Sequence, residues 1–212
     1  MSAAMDGSVQ EPELFAITPG RGDLDELLLK IPLLAAGGVA RFLLRELSVD
    51  PARRRTMARA LVGLCRDLAV ELWIARDVEL ANEVGAHGVH LSERCPAPSA
   101  WRERIGAGLP FGLSLHRPVR RPPDEISAAR HAFLGPVYPT SKDSGLPLGA
   151  PLFVDLAASL ATRVFALGGI GEQQLSELSR HGIRRVAAIR YFFDATNPRA
   201  SAEHACSVLR GP

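Results

Sequence analysis

Short runs of apolar and β-branched residues alternate along this chain with stretches whose apolar residues recur at helical spacing. The runs recur roughly every 20 to 25 residues, which is typical of repeated βα units on a parallel sheet. We predict strands over residues 14–18, 40–45, 72–76, 88–91, 112–116, 132–137, 164–167 and 186–189. About eight such units is the number that closes a parallel barrel.

The segments between these strands carry helix signals. Leu24, Leu27 and Leu28 lie at helical spacing. Asp50 followed by Pro51 is typical of a helix N-terminus. We predict helices over residues 23–36, 51–68, 78–84, 98–104, 151–161, 172–181 and 198–209. The Arg- and Pro-rich residues 117–123 predict an exposed loop.

This alternation predicts an α/β fold, a single (β/α)₈ TIM barrel with parallel strands, over residues 13–210. An open doubly wound sheet is the structural alternative, but no Gly-x-Gly-x-x-Gly signature follows the first strand. Residues 1–12 carry acidic side chains and no apolar core of a signal peptide, so we expect a disordered leader there.

Charge and cysteine content narrow the class of partner. The 25 basic and 23 acidic side chains give a formal net charge of +2, which argues against a nucleic-acid or anionic-membrane partner. The apolar runs are shorter than the about 20 residues of a membrane span. The 3 cysteines form no Cys-x-x-Cys pair, so we expect a reducing cytoplasm. A small phosphorylated metabolite is the expected partner, and a homo-oligomer is left open.

We look for catalytic and ligand-binding residues at the C-terminal end of each strand, because the reacting groups of such barrels lie in the loops that follow these ends. Gly168 and Gly169 follow the seventh strand and precede a helix, an arrangement that exposes backbone amides to a phosphate. Ile189 and Arg190 end the eighth strand beside them, and a guanidinium suits the same anion. We predict a phosphate site at these four residues, with a mere tight turn as the alternative.

His116 is the candidate acid or base, because an imidazole in the barrel mouth moves protons near neutral pH. Side chains alternate between the two faces of a strand, so Ser114 lies on the same face as His116 and is a substrate-binding candidate. His90, near the end of the fourth strand, is a further substrate-binding candidate. A histidine that only satisfies a hydrogen bond is the alternative. Arg45 ends an apolar strand and predicts an anion-binding guanidinium, unless Glu46 merely neutralises it.

A loop after the sixth strand offers further ligand contacts. Thr140, Ser141 and Lys142 supply two hydroxyls and a cation, and the loop runs on to Gly149 as a cover over a ligand. Lys142 is one of two lysines in a chain that otherwise uses arginine. The rarity of lysine favours a function for the compact ammonium group of Lys142 that a guanidinium would perform less well, with an ordinary exposed lysine as the alternative.

Six short segments together resemble the thiamine phosphate synthase and TenI family: residues 14–18, 79–81, 84–91, 112–116, 135–140 and 166–170. The family synthase joins a pyrimidine pyrophosphate to a thiazole phosphate through Mg²⁺, whereas TenI-type proteins bind the thiazole phosphate and some isomerise its ring with a histidine. The resemblance therefore implies a thiazole phosphate pocket, with the phosphate on Gly168 and Gly169 and residues 140–142 along the loop side. His116 matches the TenI-type acid/base position.

The same resemblance fails where the synthase would hold magnesium. A Gln-x-Arg-x-Lys motif, an Asn-Asp pair and a second metal aspartate are expected after the second, third and fourth strands. The corresponding positions here are Leu43, Arg45, Leu47, Ala75, Arg76 and either Arg94 or Cys95. None of these side chains is a hard oxygen ligand, although Asp77 lies one residue late and could restore one. We predict no metal and no cofactor, with Mg²⁺ needed only for the synthase alternative.

These departures favour a TenI-like protein that binds a thiazole phosphate and shifts its double bonds without metal, with His116 moving the proton. One alternative is an active Mg²⁺-dependent thiamine phosphate synthase that uses Asp77 or other ligands. Another is a non-catalytic protein that senses or sequesters the metabolite. The sequence thus favours an isomerase without excluding a binding protein.

Overall fold

Eight parallel strands close into a barrel in chain order, with the first strand paired to the last. They are β1 (Glu13–Ile17), β2 (Arg41–Leu44), β3 (Glu71–Ala75), β4 (Gly88–Leu91), β5 (Phe111–Leu115), β6 (His131–Leu134), β7 (Val164–Leu167) and β8 (Arg185–Ala188). The computed structural model describes residues 11–97, 100, 108–116, 119–140 and 146–211. The predicted TIM barrel is confirmed, and pairing of β1 with β8 excludes the open doubly wound sheet.

Helices form the outer layer of the barrel. In the described part of the chain they are α1 (Leu24–Ala36), α2 (Pro51–Asp67), α3 (Val78–Val84), α4 (Pro123–Ala128), α5 (Gly149–Ala158), α6 (Glu172–Arg180), α7 (Arg190–Phe193) and α8 (Pro198–Arg210). Four of them begin at a side chain that accepts a hydrogen bond from the amide three residues later: Asp23, Asp50, Asp77 and Asn197. None of the helices described is long and apolar enough to cross a membrane.

Several elements differ from the sequence prediction. β6 ends at Leu134 instead of residue 137, and the helix predicted over 151–161 is Gly149–Ala158. Helix α4 begins at Pro123, the last residue of the predicted loop, because proline suits the first helical position as well as a loop. Arg190 opens α7 rather than ending β8, since the strand stops at Ala188. The predicted helix over 98–104 and the predicted leader fall almost entirely outside the described residues.

Aromatic side chains fill the interior of the barrel. Phe15 packs edge-on against Phe133 and Phe165, with ring centroids 4.9 and 5.7 Å apart. Trp73 meets the ring of His131 edge-on at a centroid distance of 4.5 Å. Such pairs add geometric specificity to the burial of apolar area. The interior is therefore a packed core, and ligands are left to its rim.

Ion pairs close the N-terminal end of the barrel. Glu13 Oε2 lies 2.8 Å from Arg41 Nη1, Glu13 Oε1 lies 2.6 Å from Arg185 Nε, and Arg41 Nε lies 3.2 Å from Glu71 Oε2. Burial alone would raise the pKa of Glu13. The hydrogen bond from Arg185 and the charges of the neighbouring arginines nevertheless hold that pKa below its usual value. Ligand access is thus left to the opposite end.

We expect Glu13→Gln to lower the free energy of unfolding by about 2 kcal/mol at neutral pH, because two charge-assisted hydrogen bonds lose their anion. Because the folded pKa of Glu13 is lowered, its contribution is complete above the ordinary pKa of 4.5 and is lost as pH falls through the folded value. Urea denaturation of wild type and variant at neutral and acid pH measures this.

Glu11→Gln is the control for this prediction, since Glu11 pairs with Arg210 at the exposed surface. Its effect on unfolding should be small at every pH. A difference between Glu13→Gln and wild type that stays constant from neutral to strongly acid pH would contradict the assigned role.

Candidate functional site

The turn after β7 is built from two glycines in the left-handed backbone region. Gly168 has φ +100° and Gly169 has φ +67°. A Cβ on Gly168 would lie 2.7 Å from Pro136 Cβ, and a Cβ on Gly169 would lie 2.6 Å from Pro139 O. Only glycine fits this turn, which is pressed against the loop after β6.

The amides of this turn donate to no backbone oxygen in the described part of the chain, whereas Gly168 O accepts a hydrogen bond from Tyr138 N at 3.1 Å. β7 pairs with β8, so Ile189 follows directly beside the turn. Unpaired amides in such a turn offer hydrogen bonds to an anion. Phosphate binding by the backbone of Gly168 and Gly169 stays a prediction.

The side chain of Arg190 is exposed and lines a groove of about 520 Å³ together with Gly171, Tyr191 and Asn197. The glycine turn at residues 168–169 does not line this groove. The structure places the backbone of Arg190 one residue beyond Ile189 at the rim. A contact of its guanidinium with the phosphate stays a prediction.

The loop after β6 is described up to Thr140. Thr140 Cγ2 lies 3.5 Å from the point where Gly168 would carry a Cβ, so this side chain borders the glycine turn. Gly149 begins α5, and its amide donates to Val137 O at 2.9 Å, which anchors the far end of the loop. A ligand contact of Gly149 stays a prediction, and residues 141–142 lie outside the described residues.

Glu46 is buried and serves the loop after β1. Its carboxylate accepts hydrogen bonds from Gly20 N at 2.9 Å and from Gly22 N at 2.6 Å. Burial lowers the pKa of Arg45 and the charge of Arg76 lowers it further, while Glu46 only partly opposes them. No described carboxylate lies within ion-pair distance of Arg45, so simple neutralisation by Glu46 is not favoured, and anion binding by Arg45 stays a prediction.

Both carboxylate oxygens of Asp77 already have a partner in the protein. Its Oδ1 accepts a hydrogen bond from Leu80 N at 2.9 Å as the cap of α3, and its Oδ2 lies 2.7 Å from Arg54 Nη2. Arg76, directly before it, has φ +66° and is exposed at the rim. Mg²⁺ needs free hard oxygen ligands, so this pair of residues does not fit the ion. The described residues contain no cluster of three or more His, Cys, Asp or Glu side chains that could hold a metal ion.

His116 lies just beyond the end of β5 and is half-exposed. Its Nδ1 lies 3.1 Å from Glu93 Oε2, and its backbone amide donates to Glu93 Oε1 at 3.4 Å. A carboxylate that holds Nδ1–H leaves Nε2 to accept or donate a proton. Sequence reasoning missed Glu93, and its position just after the fourth strand was the only signal for it.

His90 and Ser114 hold each other below the rim. His90 Nε2 lies 2.9 Å from Ser114 Oγ, and His90 Nδ1 lies 3.0 Å from Nε2 of His131. Burial lowers the pKa of His90 to about 3, and the charge of Arg76 acts in the same direction. His90 is therefore a neutral hydrogen-bonding group. Sequence reasoning missed His131 because it opens β6, far from the strand end where ligand-binding residues are expected.

Comparison with known proteins covers nearly the whole chain. The family model described as thiamine monophosphate synthase matches residues 14–192. A thiamine-phosphate synthase of Bordetella bronchiseptica is 33% identical over 203 residues, which cover 92% of this chain and 93% of that protein. A thiamine-phosphate synthase of Lactococcus lactis subsp. cremoris is 29% identical over 185 residues, which cover 85% of each.

Solved structures share the fold. Thiamine phosphate pyrophosphorylase from Pyrococcus furiosus superposes with a TM-score of 0.76 at 22% identity, covering 95% of this chain and 96% of that one. A 3-hexulose-6-phosphate synthase from Salmonella typhimurium gives a TM-score of 0.69 at 16% identity, with 93% and 98% covered. These two likenesses show the barrel alone. The family model and the curated relatives show more, and the chain belongs to the thiamine monophosphate synthase family.

Proposed function

We propose that the chain binds a thiazole phosphate and isomerises its ring without a metal ion, as a TenI-like member of its family. The observation that carries the proposal is the loss of free carboxylates on one side of the mouth, where Arg76 stands and Asp77 is held by Arg54 and by α3. On the opposite side, the glycine turn keeps amides available for a phosphate. Among the described residues, a phosphorylated ligand has an anchor in these amides, whereas a metal-bound diphosphate has none.

His116 supplies the proton transfer in this proposal. Ring isomerisation removes a proton from one position of the ring system and returns a proton at another. An imidazole that first accepts and then donates a proton therefore ends unchanged. Glu93, 3.1 Å from His116 Nδ1, orients the imidazole and leaves Nε2 for the ligand. The partner required is a small phosphorylated metabolite, and a cytoplasmic location and a homo-oligomer stay predictions.

A second candidate is the synthase activity in the names of the curated relatives. Arg45 and Arg76 favour it, since neither guanidinium has an ion-pair partner among the described residues and both lie at the same side of the mouth. Two such cations can neutralise the charge of a leaving diphosphate directly. In that case the arginines take the part that Mg²⁺ has in the family synthase.

The two candidates predict different products. With one ring tautomer of a thiazole phosphate as substrate, we expect conversion that needs no added metal and resists EDTA. We expect His116→Ala to slow it by roughly a hundredfold or more, because general acid–base catalysis is lost. His181→Ala changes an exposed histidine after α6 and should keep the wild-type rate. Proton NMR of the reaction mixture follows the conversion.

Other outcomes of the same assay are decisive. Equal rates in wild type and His116→Ala would remove His116 from the mechanism. Formation of thiamine phosphate after addition of pyrimidine pyrophosphate would establish the synthase, and Arg76→Ala should then slow the reaction. Tight binding without either reaction would establish a metabolite-binding protein.

Gly169→Ala tests the phosphate site. We expect its affinity for inorganic phosphate to fall by about tenfold or more, because the methyl group would meet Pro139 O and displace the turn amides. Gly182→Ala is the matched control, since Gly182 has φ +74° and no atom within 4 Å of an added Cβ. It adds similar backbone strain away from the site. Equal affinities of wild type and Gly169→Ala in a calorimetric titration would place the anion elsewhere.

A further inference from the structure

A chain of three side chains runs through the barrel interior and ends in the mouth. His131 Nε2 lies 3.0 Å from His90 Nδ1, and His90 Nε2 lies 2.9 Å from Ser114 Oγ. The two imidazoles are nearly parallel, with an interplanar angle of 16°, and His90 stacks on Phe133 at a centroid distance of 4.1 Å. The proposed proton transfer by His116 uses neither of these histidines.

Gly112 makes room for this chain. The registers of β4, β5 and β6 place His90 opposite Gly112 and Gly112 opposite His131. A Cβ on Gly112 would overlap the ring of His131. The missing side chain lets that ring lie across β5 and reach His90, so three adjacent strands build the contact.

Both imidazoles are neutral at physiological pH. Burial lowers the pKa of His90 to about 3, with the charge of Arg76 acting in the same direction. Burial also lowers the pKa of His131 well below its usual value, and the charge of Arg41 acts in the same direction. The three hydrogen-bonded side chains His131, His90 and Ser114 therefore carry no charge.

Neutrality couples the tautomers of the two rings. A neutral imidazole has one donor nitrogen and one acceptor nitrogen. If His131 Nε2 donates, His90 Nδ1 accepts and His90 Nε2 must donate to Ser114 Oγ. If His131 Nε2 accepts, each hydrogen bond runs the other way and Ser114 donates to His90. The tautomer of His131 thus decides which hydrogen-bonding role Ser114 has left for a ligand.

Ser114 is the end of the chain that reaches solvent. It is partly exposed, whereas His90 and His131 are 4% and 3% exposed. A hydroxyl keeps hydrogen-bonding capacity beyond one partner. The imidazoles that hold Ser114 carry no charge, so Ser114 suits the edge of an uncharged ring better than a phosphate. The amides of the glycine turn are the proposed anchor for the phosphate.

We propose that His131 and His90 are positioning residues that hold the Ser114 hydroxyl in one hydrogen-bonding direction toward the uncharged ring of the ligand. The inference rests on the proposed function only for the ligand class, a phosphorylated heteroaromatic ring. The glycine turn then holds the phosphate and Ser114 the ring edge. A ring whose edge has the opposite donor or acceptor pattern leaves a polar group unpaired and binds poorly.

Nitrogen-15 NMR of histidine-labelled protein tests whether a ligand at Ser114 changes the tautomer of His131, since imidazole nitrogen shifts distinguish the tautomers. We expect a thiazole phosphate to move the His131 signals, although the His90 ring separates His131 from the ligand. Inorganic phosphate should leave them in place, because it engages only the anion site. In Ser114→Ala the thiazole phosphate should also leave them in place. Movement with phosphate alone, or movement that survives Ser114→Ala, overturns the proposal.

Substitution of His131 tests the same link by affinity. His131→Leu removes the nitrogen that hydrogen-bonds to His90 Nδ1. We therefore expect the thiazole phosphate to bind about tenfold more weakly, whereas the affinity for inorganic phosphate should not change. His131→Gln returns a group that donates or accepts and should recover most of the loss. An equal loss for both ligands would show a structural role only and contradict positioning. If His131→Leu fails to fold, the NMR titrations of wild type and Ser114→Ala still decide.

The ring-conversion assay and the NMR titration test the proposed function and the positioning role separately. If no ring conversion occurs but the His131 signals respond through Ser114, the positioning role stands and the isomerase does not. If conversion occurs and the His131 signals ignore the thiazole phosphate, the positioning role falls alone.

Discussion

Pairing of β1 with β8 is the contact on which the rest of the molecule depends. It removes the edges of the sheet and brings eight C-terminal strand ends to one rim. The same pairing sets Glu13 opposite Arg185, and their ion pair joins the first and last strands at the closed end. Ion pairs close the N-terminal end of the barrel and aromatic rings fill its interior, so the C-terminal rim is the place left for a ligand.

Three of the described carboxylates at the rim are already in use. Glu46 holds two amides of the loop after β1, Asp77 caps α3 and pairs with an arginine, and Glu93 holds an imidazole. The guanidiniums of Arg45 and Arg76 have no such partners among the described residues. This imbalance favours anions, and the described residues contain no cluster of three or more His, Cys, Asp or Glu side chains for a divalent cation. It is the physical basis of our proposal that this site transfers protons without a metal ion.

Inside the rim, a polar chain crosses an otherwise apolar interior. A buried imidazole is costly unless its nitrogens are bonded, and His90 has a partner at each nitrogen. Stacking on Phe133 restricts its ring further. The same packing that fills the barrel therefore fixes the position of Ser114 at the mouth, which links core structure to ligand recognition.

The barrel could be predicted without the structure, because hydrophobic runs of strand length alternating with helical patterns are local features of the chain. The sequence also located the glycine turn and His116, since strand ends can be counted from that pattern. It could not determine how Asp77 and His131 are used. The partner of Asp77 is 23 residues away, and His90 and His131 are 41 residues apart. These contacts become visible in the folded protein, because they depend on the register of neighbouring strands and on which loops meet at the rim.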